Sequence, residues 1–220
     1  MPWEAPILGL AVVLLPVVLA FEKTGNRRGL VPAKTALSLL FILAALAQET
    51  HLPRYSQCVM AGLALCLLGD FFLALPQRTA FMAGLVAFLA GHVLYVLAFL
   101  PLARAGVLLW SAGLVFVLAS AWVFRWLRPH LGSMRGPVLA YVVVITAMVL
   151  CAAGVLGNPG LQGPGRLMVF TGAVLFYVSD VFVARDRFVS RGFTNRLLGL
   201  PTYYAGQFLL AFSLGAVSFL

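Results

Sequence analysis

Long apolar stretches follow one another along nearly the whole chain, interrupted by short joints rich in charged residues, proline or glycine. About 20 apolar residues in a row form a helix that is long enough to cross a bilayer. The pattern therefore predicts an all-α membrane protein, a bundle of eight transmembrane helices in a single domain over residues 1–220. We place the helices near residues 5–21, 33–48, 57–75, 81–100, 105–124, 137–156, 166–185 and 197–218.

The ends of the first two stretches decide how each is interpreted. The first stretch lacks the basic start and the small-residue cleavage site of a signal peptide, so we expect a retained helix. The second has only about 16 residues, or about 24 Å of helix, so Lys34 is expected at its interfacial end.

The composition excludes a water-soluble protein. Hydrophobic residues make up 63% of the chain and charged residues only 10%, which leaves too little polar surface to enclose a soluble core. The net charge of +9 does not indicate a nucleic-acid partner, because basic residues of a membrane protein belong to its loops. The three cysteines are odd in number and lack a C-x-x-C spacing, so we predict no disulfide and no metal site.

Lysine and arginine are distributed unequally between the two sets of alternate joints. One set has 12 of them, and the other has only Arg54, Arg104 and Arg166. Positively charged loops stay in the cytoplasm, so the basic set is predicted to be cytoplasmic and both termini to lie on the opposite side. We expect a multi-pass protein of a bacterial inner membrane.

Two aspartates, Asp70 and Asp180, are the only carboxylates inside the predicted spans. A carboxylate at bilayer depth costs about 2.5 to 3.5 kcal/mol on insertion scales, so it favours a functional role over a structural one. Both residues lie about five residues before a predicted cytoplasmic end, and therefore at one level. Two carboxylates in one apolar site cannot easily both ionise, so they can supply an acid and a base together.

The two aspartates also begin similar segments. D-F-F-L-A from Asp70 and D-V-F-V-A from Asp180 share three of five residues at an offset of 110, half the chain. A tandem duplication with a 4+4 parallel repeat would leave this pattern, although so short a similarity in apolar sequence also arises by chance. Small residues that let helices approach closely also occur here, at Gly62, Gly69, Gly84 and Gly91.

Further polar side chains lie in or beside the spans. His92 and Tyr95 share a face of the fourth helix, where either a helix-packing hydrogen bond or a site role is open. Tyr203, Tyr204 and Gln207 form a polar stripe on the eighth helix, where tyrosines are also common as interfacial residues. Lys34 is either a snorkelling lysine or a cation for a lipid phosphate.

Four polar motifs in this order resemble the lysoplasmalogenase (YhhN-like) family of membrane proteins. The resemblance rests on LLGDFFLALP, FMAGLVAFLAGHVLYVLAF, GAVLFYVSDVFVARDRF and TYYAGQFLLAFS, at residues 67–76, 81–99, 172–188 and 202–213. The lysine of PAKTALSLLFIL, Lys34, resembles the one that opens the family's second helix. The first, fifth and sixth spans match only in their hydrophobicity.

The resemblance implies hydrolysis of the vinyl ether bond of lysoplasmalogens to a fatty aldehyde and a glycerophospho-headgroup. Proton delivery to the β-carbon gives an oxocarbenium-like cation, and water then attacks its α-carbon, which requires an acid and a nearby carboxylate. Our hypothesis is that Asp70 and Asp180 share one proton for this chemistry. The other polar residues named above would position water, the ether oxygen and, through Lys34, the phosphate. The implied partners are a lysophospholipid substrate and membrane lipids, with no cofactor, and the oligomeric state stays open.

Two other functions use similar residues. A proton-coupled transporter or lipid flippase would use the same pair of aspartates and would release no aldehyde. A lysophospholipid ester hydrolase would need a nucleophile, and the chain has no G-x-S-x-G motif.

Overall fold

The computed structural model describes residues 3–219, and its architecture is nearly all-helical. Eight of its helices are long and apolar enough to cross a membrane, as the hydropathy pattern predicted. They are α1 (Glu4–Thr24), α2 (Arg27–Leu46), α3 (Pro53–Ala74), α4 (Arg78–Phe99), α5 (Val107–Leu127), α6 (Arg135–Leu156), α7 (Gly165–Ala184) and α8 (Phe193–Ala216).

Short elements connect and extend these helices. Turns of 3-10 helix follow α4 at Leu100–Leu102 and precede α6 at Arg128–His130 and Gly132–Met134, and a π-helical turn, Arg185–Val189, extends α7. Two-residue strands, β1 (Leu161–Gln162) and β2 (Ser218–Phe219), pair antiparallel with Leu161 opposite Phe219. This pairing fixes the α6–α7 connection to the end of α8.

Helix α2 begins six residues before its predicted start, which changes the position of Lys34. Gly25 ends α1 in a left-handed conformation (φ 68°), and the Asn26 side chain then accepts a hydrogen bond from the Gly29 amide at 3.2 Å. This cap stabilises a first turn that contains Arg27 and is too polar for a hydropathy pattern to include. Lys34 therefore lies two turns inside the helix, not at its end as expected, and its side chain is buried.

Close helix packing in both halves depends on glycine. A methyl group on Gly91 of α4 would lie 3.2 Å from the Gly62 carbonyl oxygen of α3, and one on Gly206 of α8 would lie 2.9 Å from the Gly172 carbonyl oxygen of α7. Both distances are shorter than ordinary Cβ contacts, so a side chain here would push the helices apart and glycine lets their backbones approach closely. The predicted packing role of the α3 and α4 glycines is confirmed.

The packing of α1 and α5 leaves one side of the bundle open. Helix α2 packs on α3 and α8, and α6 packs on α7 and α4, which forms a central group of six helices. Helix α1 lies at the edge against α2 and α8. Helix α5 packs on α6 and, over the described residues, makes no comparable contact with α4. A cavity lies between α4 and α5, and α6, α7 and α8 also line it.

Candidate active site

The cavity joins an apolar wall to a charged end. It encloses about 1140 Å³ of empty space, part of it open to the outside. Leu85, Val123 and Ile145 represent its apolar lining, and Asp186, Arg187 and Arg196 its charged end after α7. Both candidate aspartates line the cavity, as do Lys34 and Tyr203. This shape suits an amphipathic molecule with a single chain and a charged group.

Asp70 is buried in a network that compensates its charge. One carboxylate oxygen lies 3.1 Å from the Lys34 ammonium nitrogen. The other accepts hydrogen bonds at 2.7 Å from the hydroxyl groups of Ser38 and Tyr203. Tyr204 lies behind this group, with its hydroxyl 3.2 Å from that of Ser38. The side chains of Lys34 and Asp70 are only 3% and 2% exposed, so the ion pair is fully buried.

Asp180 has neutral neighbours and more open space. Its carboxyl group accepts a hydrogen bond from the Tyr141 hydroxyl at 2.7 Å, and its Oδ2 lies 3.5 Å from Nε2 of His92. The His92 Nδ1 lies 2.7 Å from the Phe88 carbonyl oxygen, which can only accept, so Nδ1 has the hydrogen in the neutral ring. The buried Nε2 has no hydrogen-bond partner among residues 3–219. With 17% of its side chain exposed, Asp180 is the aspartate that faces the empty space.

Over residues 3–219, no hydrogen bond joins the carboxyl groups of Asp70 and Asp180. Each has its own set of partners. The geometry therefore supports a division of roles between them, in place of one proton shared directly.

The remaining predicted residues lie deeper in the bundle. The Tyr95 hydroxyl donates to Oε1 of Gln207 at 2.9 Å, and both residues are completely buried. Neither they nor His92 and Tyr204 line the cavity. His92 reaches it through Asp180, whereas Tyr95 and Gln207 connect α4 to α8 behind the site.

Sequence reasoning missed Ser38 and Tyr141, whose hydroxyl groups lie 2.7 Å from Asp70 and from Asp180, respectively. Ser38 follows Lys34 by one helical turn, and that spacing could have indicated it. Tyr141 stands alone in the apolar run of α6 and gives no such signal. A separate cluster of three hydroxyl groups, from Ser120, Thr146 and Tyr177, joins α5, α6 and α7 beside the cavity.

Metal ligands do not cluster in the part of the chain that the structure describes: no group of three or more His, Cys, Asp or Glu could hold an ion. Cys58, Cys66 and Cys151 are free thiols.

Three named proteins are similar to the chain over most of its length. A lysoplasmalogenase from Mycobacterium bovis is 34% identical over 204 residues, which cover 89% of this chain and 73% of that protein. Lysoplasmalogenase TMEM86B from Rattus norvegicus is 31% identical over 213 residues, or 96% of this chain and 83% of that protein. Lysoplasmalogenase TMEM86A from Bos taurus is 32% identical over 161 residues, or 70% of this chain and 64% of that protein.

No solved structure matches the chain. Residues 31–214 match the YhhN family, and this range includes both aspartates and all of their partners. The chain belongs to the YhhN family.

Proposed function

We propose that this protein is a lysoplasmalogenase, an integral membrane hydrolase that cleaves the vinyl ether bond of lysoplasmalogens. The observation that supports it best is Asp180, a carboxyl group that faces an apolar cavity beside a second, charge-compensated carboxylate, Asp70. A bacterial relative and a mammalian relative are both named lysoplasmalogenase, which agrees with this activity.

Asp180 is assigned as the acid. Its nearest partners are a phenol and a neutral imidazole, and a carboxyl group in apolar surroundings without a cation tends to keep its proton. It donates this proton to the β-carbon of the vinyl ether, whose π electrons form the new C–H bond. The α-carbon and the ether oxygen then share the positive charge.

Asp70 is assigned as the stabilising carboxylate. The ammonium group of Lys34 keeps it ionised, while its second oxygen is fixed by Ser38 and Tyr203. Its negative charge lowers the energy of the oxocarbenium-like cation. Lys34, which the sequence suggested for phosphate binding, is therefore assigned to the support of Asp70.

Water completes the reaction. It adds to the α-carbon and gives a proton back to the Asp180 carboxylate, which restores the acid. The resulting hemiacetal transfers its hydroxyl proton to the glycerol oxygen as the C–O bond breaks, and this releases the aldehyde. His92, whose Nε2 lies 3.5 Å from Oδ2 of Asp180, is assigned to position that carboxyl group toward the water. Tyr95, Tyr204 and Gln207 support the site from behind.

We also propose that the bundle is a 4+4 repeat. The glycine pair Gly62–Gly91 has a counterpart in Gly172–Gly206, with α3 and α7 offset by 110 residues as the aspartates are. The two most extensively packed helix pairs, α3–α4 and α7–α8, also occupy equivalent places in the two halves. Both termini are assigned to the non-cytoplasmic side of a bacterial inner membrane and the site to the cytoplasmic leaflet, on the distribution of arginine and lysine.

Incubation of the purified protein with three matched lipids tests the activity. We expect fatty aldehyde from a lysoplasmalogen and no product from the alkyl-ether lipid or the ester lipid. Product from the ester lipid would instead identify an esterase. Movement of lipid that depends on a proton gradient, without aldehyde, would identify a transporter. Asp180→Asn serves as the inactive control.

A further inference from the structure

Three cations line the cavity of the described chain, and two of them are already neutralised. Lys34 pairs with Asp70. Arg196 lies 2.8 Å from the Asp186 carboxylate and 3.6 Å from that of Glu22. Their charges therefore hold the protein together and are not free for a ligand.

Arg187 is the third cation, and it has no carboxylate within ion-pair distance over residues 3–219. Its guanidinium carbon lies 3.9 Å from the centroid of the Phe81 ring on α4. This contact orients the planar group and leaves its N–H donors free at the edge. The neighbouring Asp186 carboxylate is already occupied by Arg196, Asn195 and the Gly192 amide.

The surroundings of Arg187 add positive charge. Arg191 and Arg78 repel its guanidinium group electrostatically, and Asp186 attracts it. The Asp186 carboxylate is bonded to other groups, so these arginines are stabilised best by a further anion. A guanidinium edge fits the two oxygens of a phosphate.

The distance along the helix matches a glycerophospholipid. Arg187 follows Asp180 by seven residues, or about 10 Å of helix at 1.5 Å per residue, and both side chains line the same cavity. In a lysoplasmalogen, the glycerol backbone separates the vinyl ether from the phosphate. A lipid with its ether bond at Asp180 would thus bring its phosphate to the charged end, with its chain along the apolar wall.

We propose that Arg187 binds the phosphodiester group of the single-chain lipid, supported by Arg78 and Arg191. This inference rests on the proposed function, because it assigns the headgroup position of the same substrate. Arg187 is a binding residue here, and Asp180 and Asp70 remain the groups that react.

Direct binding of uncleavable lipids tests the site. The probes are a 1-O-alkyl lysophosphatidylethanolamine and a phosphate-free 1-O-alkylglycerol of the same chain length, titrated calorimetrically in neutral micelles. Arg187→Gln is expected to weaken the phospholipid by at least about tenfold, as the loss of a charged hydrogen-bonded contact implies, and to leave the alkylglycerol within about twofold. Arg187→Lys is expected to lose less.

Arg125→Gln is the matched control, because it removes an exposed arginine from the same end of the bundle outside the cavity, and it should change neither affinity. Unchanged alkylglycerol binding by Arg187→Gln verifies that the variant is folded. Equal weakening of both lipids, or displacement of the phospholipid by millimolar inorganic phosphate, would overturn the assignment. If the parent protein releases no aldehyde but binds in this Arg187-dependent way, only the hydrolase proposal fails.

Discussion

Asp70 and Asp180 are the same residue type at the same point of two helices, but their partners differ in charge. Asp180→Asn removes the acid and no charged contact, so we expect turnover to fall by at least about 100-fold while thermal stability stays near that of the parent. Asp70→Asn also leaves the Lys34 ammonium buried without a partner, which should cost about 3 to 5 kcal/mol of stability. Aldehyde release and thermal unfolding in detergent measure the two effects.

A double variant separates charge from chemistry. Lys34→Met combined with Asp70→Asn removes both ends of the buried pair, so most of the lost stability should return while turnover stays low. Equal unfolding temperatures for Asp70→Asn and the parent protein would contradict the buried ion pair. Turnover within about threefold of the parent in either single asparagine variant would exclude the proposed mechanism.

In the proposed mechanism, Tyr141 would stabilise the Asp180 carboxylate after the proton has left. Its hydroxyl donates to the carboxyl group at 2.7 Å, and a hydrogen bond to a charged group contributes about 1.5 to 3 kcal/mol. Tyr141→Phe is therefore expected to lower kcat by about tenfold or more. Tyr177→Phe, on the wall of the same cavity but bonded to Ser120, should stay within about twofold. Equal losses in both variants would argue for a general packing effect.

The chain itself reveals its aspartates more readily than their partners. Asp70 and Asp180 were predictable because a carboxylate inside a span is costly and rare. The role of Lys34 was not, because which anion it meets depends on the packing of α2 against α3. Tyr141 is also invisible in the sequence, since a tyrosine is tolerated at many positions in an apolar helix.

Among the elements, α5 depends on one polar contact more than its neighbours do. Ser120 lies 2.6 Å from the Thr146 hydroxyl and 2.9 Å from that of Tyr177, which fixes α5 to α6 and α7. Ser120→Ala should lower stability by about 0.6 to 2 kcal/mol, the range of interhelical hydrogen bonds in membranes. Thermal unfolding measures this. Ser111→Ala on the exposed part of the same helix is the control and should have little effect.

The apolar wall predicts selection by chain length. Along α6, Ile145 lies one turn beyond Tyr141, away from the charged end of the cavity. Ile145→Phe should fill this space and lower kcat/KM for long alkenyl chains more than for short ones. Val143→Phe introduces the same ring on the outer face, where Val143 is 59% exposed, and should not change the preference. If Ile145→Phe leaves the ratio of kcat/KM for long and short substrates unchanged, the alkenyl chain of the substrate binds elsewhere.

Hydropathy predicted the number and the middle of every helix but not where α2 starts. Its first turn, with Arg27 and Arg28, is polar, and the Asn26 cap that stabilises it makes a local hydrogen bond rather than an apolar contact. Those six residues bring Lys34 into the bundle, so an error at the end of one element changed the expected chemistry of the site.

At the scale of the whole molecule, the proposed repeat accounts for the position of the cavity. Helix α1 packs against α8, whereas its counterpart α5 leaves the corresponding side of α4 uncovered in the described chain. The crevice between α1 and α8 is thus closed, and the equivalent crevice between α5 and α4 is open beside Asp180. In this interpretation, a symmetric scaffold gained an asymmetric site through the displacement of one outer helix.

Eight membrane spans would place both termini on one side, and the charge distribution predicts which side. The joints on the Arg187 side hold 12 basic residues against three on the other, so they should remain cytoplasmic. Alkaline phosphatase fused to the C-terminus should then be active, and green fluorescent protein fused at the same position should not fluoresce. Fusions after residue 132, between α5 and α6, should give the reverse pattern. The opposite result for both positions would invert the topology and move the arginine-rich end, with its proposed phosphate site, to the outer leaflet.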